Sequence, residues 1–254
     1  MIVAITRGVS TRIASCELTH LDRQPIDVAR ARTQHAAYES ALRDLGCDVR
    51  ALPADDSLPD CVFVEDVAVV LDDRAILTRS ATATRGSETP AIAEALAPFR
   101  DLVSIEPPGT LDGGDVLRVG RTLYVGRTAR TNSNAIEQLA DLASGYRVIG
   151  VDVEGCLHLK SAVTLVGPDL LLANPRWVRP FSDHPIVEID PSEPHAANGL
   201  RIGSKLLYPA SFPKTRRRLE ERGIAIVPLD LSELQKAEGA VTCCSLVVEV
   251  DSPG

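Results

Sequence analysis

The sequence predicts an α/β ring of five units, with its strands inside and its helices outside. Three observations lead there. A strand-turn-strand pattern recurs along the chain, helical patterns fall between the recurrences, and the two chain ends together supply the one hairpin that is missing.

The recurring pattern reads VAVVLDDRAILTR at 67–79, DVLRVGRTLYVGR at 115–127, AVTLVGPDLLLAN at 162–174 and GLRIGSKLLYPA at 199–210. Aliphatic and β-branched runs on either side of a short polar turn are the mark of a β-hairpin. Aligned on the turn, Asp72, Gly120, Gly167 and Gly203 lie 48, 47 and 36 residues apart, which is the spacing of a repeat array. Helical patterns occupy 25–46, 89–99, 132–145 and 213–223, each with Pro or Asn near its start and three of them closing on Gly. The fifth hairpin is assembled from SLVVEV at 245–250 and MIVAITR at 1–7, because pairing first and last strands removes the edges of a radial repeat. Pro and Gly are spread along the whole chain and no charge block or low-complexity stretch marks a linker, so one continuous domain over 1–254 is expected. Loops from several units converge on the central channel of such a ring, and that is where a site is expected.

Composition narrows the function. A hydrophobic content of 44% is enough for a substantial core, and a formal net charge of -8 offers no basic stripe to a phosphate backbone, so nucleic acid is excluded as an expected partner. No segment approaches the roughly 18 apolar residues of a membrane span, and no secretory leader is evident, so a soluble cytoplasmic protein is expected. The six cysteines are scattered without a CxxC pair and read as reduced thiols.

Two of these residues carry chemistry in combination. Cys243, in Ala240-Val241-Thr242-Cys243-Cys244-Ser245, enters the last strand just after Gly239; adjacent side chains on an extended chain face opposite ways, so only one of Cys243 and Cys244 can serve. His158, in Leu157-His158-Leu159-Lys160, stands at the mouth of the third hairpin. A thiol needs a base or a positive neighbour to become a nucleophile, and a histidine beside the leaving group can protonate it. Phe63-Val64-Glu65-Asp66 and Leu111-Asp112-Gly113-Gly114-Asp115 place carboxylates just before buried strands, where they are costly unless a cation pairs with them; a guanidinium ligand is one such cation. Arg85 and Arg130 offer forked donors for a carboxylate. Zinc-ligand spacing, a G-x-S-x-G elbow and a GxGxxG loop are all missing, which removes the metal, serine-hydrolase and dinucleotide readings.

In order and spacing, FVED at 63–66, LDGGD at 111–115, RTN at 130–132, LHLK at 157–160, AAN at 196–198 and TCCS at 242–245 resemble the dimethylarginine dimethylaminohydrolases of the pentein, or guanidino-modifying, superfamily. The resemblance implies a five-bladed α/β propeller that hydrolyses Nω-methylated arginines to citrulline and an amine through a covalent cysteine adduct, with no cofactor and no metal. It implies Cys243 as nucleophile, His158 as general acid and base, and Asp112 as the carboxylate touching both the histidine and a guanidinium nitrogen. It implies Asp66 as the guanidinium clamp with Glu65 beside it, Phe63 as a wall, Arg85 and Arg130 on the substrate carboxylate, Leu18 in a lid at 16–21, and Asp60 near the amino end. Two departures stand out: the loop at 78–86 lacks the Pro-Gly and double Arg usual in the family, and position 112 is Asp where some bacterial members carry Glu. A guanidine deiminase or amidinotransferase of the same fold, and a non-catalytic pentein that only binds, are the rival expectations. A homodimer is left open.

Overall fold

The structure, a computed structural model, describes residues 1–179, 181 and 183–250. Among these residues five three-stranded sheets stand around a ring. The inner and middle strands of each sheet form an antiparallel hairpin, and an outer strand returns parallel to the middle one. The four continuous hairpins are Ala68–Val70 with Arg74–Leu77, Val116–Val119 with Thr122–Arg127, Val163–Leu165 with Leu171–Ala173, and Leu200–Ile202 with Lys205–Pro209. They are units one to four. The fifth joins the chain ends as expected, Ile2–Arg7 pairing antiparallel with Leu246–Glu249 in the register Ile2↔Glu249 to Ile5↔Leu246.

Outer strands such as Asp101–Ser104 and Arg147–Asp152 were not placed by the sequence pattern. The reason is burial. Middle strands are enclosed on both faces, with Val3, Ala4 and Ile5 or Leu206, Leu207 and Tyr208 fully buried, so they read as apolar runs. Outer strands are half-exposed and carry a mixed sequence that gives no clear period.

Helices Val28–Asp44, Thr89–Leu96, Ser133–Leu142 and Pro213–Glu220 link middle to outer strands in four units. Asp27 and Asn132 cap two of them by accepting from the backbone N–H of Arg30 and Ala135. Each helix is shorter than its sequence pattern, because the flanking residues serve as caps and connections. In unit three no helix joins Leu171–Ala173 to Ile186–Glu188 among the described residues. No helix among them is long and apolar enough to cross a membrane.

The core is shared between neighbours. One cluster packs Val3, Ile5 and Val248 of unit five against Ala75, Ile92 and Leu96 of unit one. Another joins Leu117 and Tyr124 of unit two to Val163 and Leu171 of unit three. The remaining three clusters likewise bridge adjacent units. No unit keeps an apolar face to itself, so removing one strips burial from two others.

A short helical turn precedes each inner strand. It spans Val64–Val67, Gly113–Asp115, Leu159–Ala162 and Thr242–Cys244 in units one, two, three and five, and a turn at 194–197 takes that place in unit four. The ring therefore delivers four polar turns and Asn198 to one end of its axis. Because every core cluster spans a seam, thermal unfolding is expected to be one transition with coincident calorimetric and far-UV circular dichroism midpoints; two separated transitions would contradict the shared core.

Candidate active site

Cys243, His158, Asp66, Phe63, Arg85, Arg130 and Asp60 line one pocket at that end, together with Glu17, Leu157 and 237–239. The four turns that face each other across the axis put Cys243 and His158 there although they lie 85 positions apart in sequence, a separation set by unit spacing rather than by any local motif. Cys243 is half-exposed, whereas Cys244 is fully buried in the core with its thiol toward the Ala240 carbonyl at 3.6 Å. Of the two adjacent thiols, Cys243 is the one that lines the pocket.

His158 is nearly enclosed and sits between two carboxylates. Its Nε2 lies 3.2 Å from Asp112 Oδ2 and its Nδ1 3.7 Å from Asp66 Oδ1. Burial would push the imidazole down, but Asp66, the hydrogen bond to Asp112 and the nearby Asp115 outweigh it and raise the pKa to about 9. At neutral pH His158 is thus an imidazolium, an acid ready to give a proton. Burial, with Glu65 and Asp66 adding to it, pushes the Cys243 thiol well above its ordinary range. The resting pair is therefore thiol and imidazolium. A cation bound beside Cys243 would favour its thiolate.

Asp66 is held from three directions. The Arg85 Nη1 donates to its Oδ2 at 2.6 Å, the Gly114 N–H donates to its Oδ1 at 3.1 Å, and its backbone carbonyl accepts from Thr78 Oγ1. Burial works against ionisation, yet His158 and Arg85 prevail and bring the carboxyl to about 2. Asp115 is a structural anchor: it accepts from Thr128 and Thr131 hydroxyls and from the Leu159 N–H, which fixes the turn that carries His158.

Several expected roles take a different form. Arg85 lines the pocket, but its guanidinium is spent on Asp66, on Glu88 at 2.8 Å and on the Phe63 carbonyl at 3.1 Å. Its first task is to buttress Asp66, since a buried arginine turns to the nearest buried carboxylates. Arg130 bonds hydroxyls instead, Thr82 and Thr19, the latter at 2.9 Å. Glu65 turns away from the reacting pocket into the channel cavity on the other side, where Lys160 Nζ reaches it at 2.5 Å and Thr242 Oγ1 donates to it at 2.7 Å. Asp112 lies behind His158, beside Arg85 and Glu88, and does not line the pocket of Cys243. Leu18 is half-buried against the core, and its lid neighbour Glu17, not Leu18, lines the pocket.

The segment at 16–21 is pinned by its backbone. Backbone N–H groups of Thr19, His20 and Leu21 all donate to the Glu238 carboxylate, and the Glu17 N–H donates to Asp60. Glu238 holds a positive φ of 59°, a conformation that a non-glycine residue adopts only under constraint. Sequence reading missed Glu238, Glu88 and Lys160; each is an ordinary charged residue whose role depends on which loop it meets.

The glycines of LDGGD have a steric reason. A Cβ on Gly114 would lie 2.6 Å from His158 Nδ1 and 2.7 Å from Asp66 Oδ1. Gly239 similarly leaves room for the Phe63 ring, 2.3 Å from where a Cβ would be.

Asp66, Asp112 and His158 are the one acid and histidine group among the described residues close enough to converge on a metal ion. A protonated imidazole has no lone pair to give, so a metal there would first have to displace that proton.

Gly114→Ala is expected to lower turnover by at least about 100-fold while the thermal midpoint falls only modestly, because overpacking of one methyl costs about 1–3 kcal/mol; unchanged turnover would show that His158 and Asp66 tolerate displacement. The raised pKa of His158 also links stability to pH. Its charged form is favoured in the folded state, so this stabilisation is full below about 6.5 and lost as pH rises through about 9. The thermal midpoint is expected to fall between those pH values in the native chain and to fall less in His158→Gln; parallel curves would remove the link.

The geometry can be set beside known proteins. The family profile described as N,N dimethylarginine dimethylhydrolase, eukaryotic, matches residues 18–187. An N(G),N(G)-dimethylarginine dimethylaminohydrolase of Streptomyces coelicolor is 40% identical over 96% of this chain and 95% of its own. A solved structure of the Pseudomonas aeruginosa enzyme, a cysteine-to-serine mutant complexed with citrulline, superposes with a TM-score of 0.90 at 33% identity, covering 96% of this chain and 98% of that one. A dimethylarginine dimethylaminohydrolase adduct with S-methyl-L-thiocitrulline, carrying a histidine-to-glycine change, superposes at 0.92 with 33% identity over 97% of this chain and all of that one. This chain belongs to the dimethylarginine dimethylaminohydrolase family, hydrolytic enzymes built on the pentein propeller.

Proposed function

We propose that this chain hydrolyses Nω-methylated arginines, asymmetric dimethylarginine and monomethylarginine, to citrulline with release of dimethylamine or methylamine. The observation that carries the reading is the meeting of Cys243, His158 and Asp66 in one pocket whose outer wall bears Arg130 and Asp60. A substrate guanidinium lies against Asp66, its amino end toward Asp60 and its carboxylate toward Arg130 with Arg85 behind. The bound cation lowers the cost of ionising Cys243, whose thiol proton leaves to solvent because His158 already carries its own, and the thiolate adds to the central guanidinium carbon. The imidazolium of His158 gives its proton to the departing amine, whose C–N bond breaks to leave a thiouronium on Cys243. Neutral His158 then takes a proton from water; the hydroxide adds to the same carbon, the C–S bond breaks, and the ureido product leaves. Asp112 holds the ring of His158 throughout.

Glu17 and Glu238 both line the reacting pocket, and release of the bonds from the segment at 16–21 to Glu238 is the step that admits a substrate. Incubation with asymmetric dimethylarginine, monomethylarginine and arginine, following ureido product and amine, tests the reading. Turnover of the methylated substrates, abolished in Cys243→Ser and retained in Cys244→Ser, is expected; release of ammonia from arginine alone would turn the assignment to a deiminase. Arg130→Ala is expected to raise KM by about tenfold or more, with a smaller change in kcat, the sign of lost ground-state binding.

A further inference from the structure

Asn198 stands in unit four, whose turn supplies no reacting group, yet it is buried between the turns of units three and five, which do. Its side-chain amide makes three bonds to the two neighbouring units. The carbonyl Oδ1 accepts from the backbone N–H of Thr242 at 3.1 Å, and Nδ2 donates to Thr242 Oγ1 at 2.9 Å and to the Lys160 carbonyl at 3.0 Å. Thr242 is thereby gripped at both its backbone and its hydroxyl, and that hydroxyl in turn donates a hydrogen bond to Glu65 Oε2 at 2.7 Å. Glu65 closes the circuit on Lys160 at 2.5 Å. The four residues tie together the turns of units one, three, four and five. Their sequence neighbours are the chemistry: Glu65 precedes Asp66, Lys160 follows His158 by two, and Thr242 precedes Cys243.

We propose that Asn198 is a positioning residue for the nucleophile. It sets the turn of Cys243 against the turn of His158, touching neither side chain itself. The amide is the one group type that can do this, since it offers an acceptor and two donors in a single plane. On its other flank the nucleophile's turn is fixed by Tyr38, whose hydroxyl meets Ser245 Oγ at 2.6 Å inside the core. Cys243 is thus braced at the residue before it and two residues after it. Misplacement of a reacting atom by about 1 Å can cost 100-fold in rate, so a brace of this kind acts on kcat more than on binding.

The turnover part of the test rests on the proposed hydrolase reading, and the alkylation part does not. In Asn198→Ala, kcat is expected to fall by about tenfold or more with KM changed by less than about threefold. The pH profile for alkylation of Cys243 by iodoacetamide, with the site identified by peptide mass spectrometry, is expected to move by at least about half a unit, because release of the Thr242 turn changes the burial and the Glu65 and Asp66 field that act on the thiol. Thr242→Ser, which keeps the hydroxyl, is expected to behave as the native chain, and Thr242→Val to follow Asn198→Ala. Equal effects of Thr242→Ser and Thr242→Val, an unmoved alkylation profile in Asn198→Ala, or a loss of kcat no larger than the loss of folded protein would overturn the proposal. A shifted alkylation profile in a chain that turns over no methylated arginine would leave the positioning role standing and remove the hydrolase reading instead.

Discussion

Buried carboxyls outnumber the cations around them, and the working end of the ring is organised by that imbalance. Asp60, Glu65, Asp66, Glu88, Asp112 and Asp115 are each less than a tenth exposed, while the positive groups among them are Arg85, His158 and Lys160. Each cation is placed where it neutralises the most: Arg85 between Asp66 and Glu88, His158 between Asp66 and Asp112, Lys160 on Glu65. Asp115 is instead satisfied by hydroxyls and a backbone N–H. The residual negative field favours a substrate that brings positive charge, and a guanidinium with an α-ammonium brings two. It also opposes ionisation of the Cys243 thiol, which burial already disfavours.

The ring makes this cluster affordable in structural terms. Glu65, Asp66, Asp112 and Asp115 stand at short turns that lead into inner strands of the ring, and the shared core clusters lock those strands to their neighbours. The turns cannot drift apart to relieve repulsion without opening an apolar seam. Rigidity of the scaffold therefore supplies the preorganisation that the chemistry needs.

The sequence exposed those parts whose cause is local. Hairpins at 67–79, 115–127, 162–174 and 199–210 show themselves because their middle strands are enclosed on both faces and must be apolar, and the helix caps Asp27 and Asn132 work within a few residues. Cys243, His158 and Asp66 stood out as polar groups ahead of such strands. What stayed hidden depends on direction across space. Nothing in the order of Glu65 and Asp66 says that one faces Lys160 and the channel while the other faces Arg85 and the pocket. Arg85 offered a free fork on paper, but three residues on, Glu88 is also buried and takes it. Asn198 was visible as part of AAN, yet its purpose appears only when units three and five are brought to either side of it.

The pairing of Ile2–Arg7 with Leu246–Glu249 has a further meaning for the order of events during folding. The strand that follows Cys243 finds its partner across nearly the entire chain, with Met1 and Val250 bonded to each other. Contacts of such long range form late, because closing a large loop costs entropy before any contact offsets it. A partly folded chain, even one with units one to four assembled, holds His158 and the acids but leaves Cys243 unseated. Competence for chemistry is thus a property of the completed circle, and any ligand or mutation that delays the last strand delays the appearance of a reactive thiol along with it.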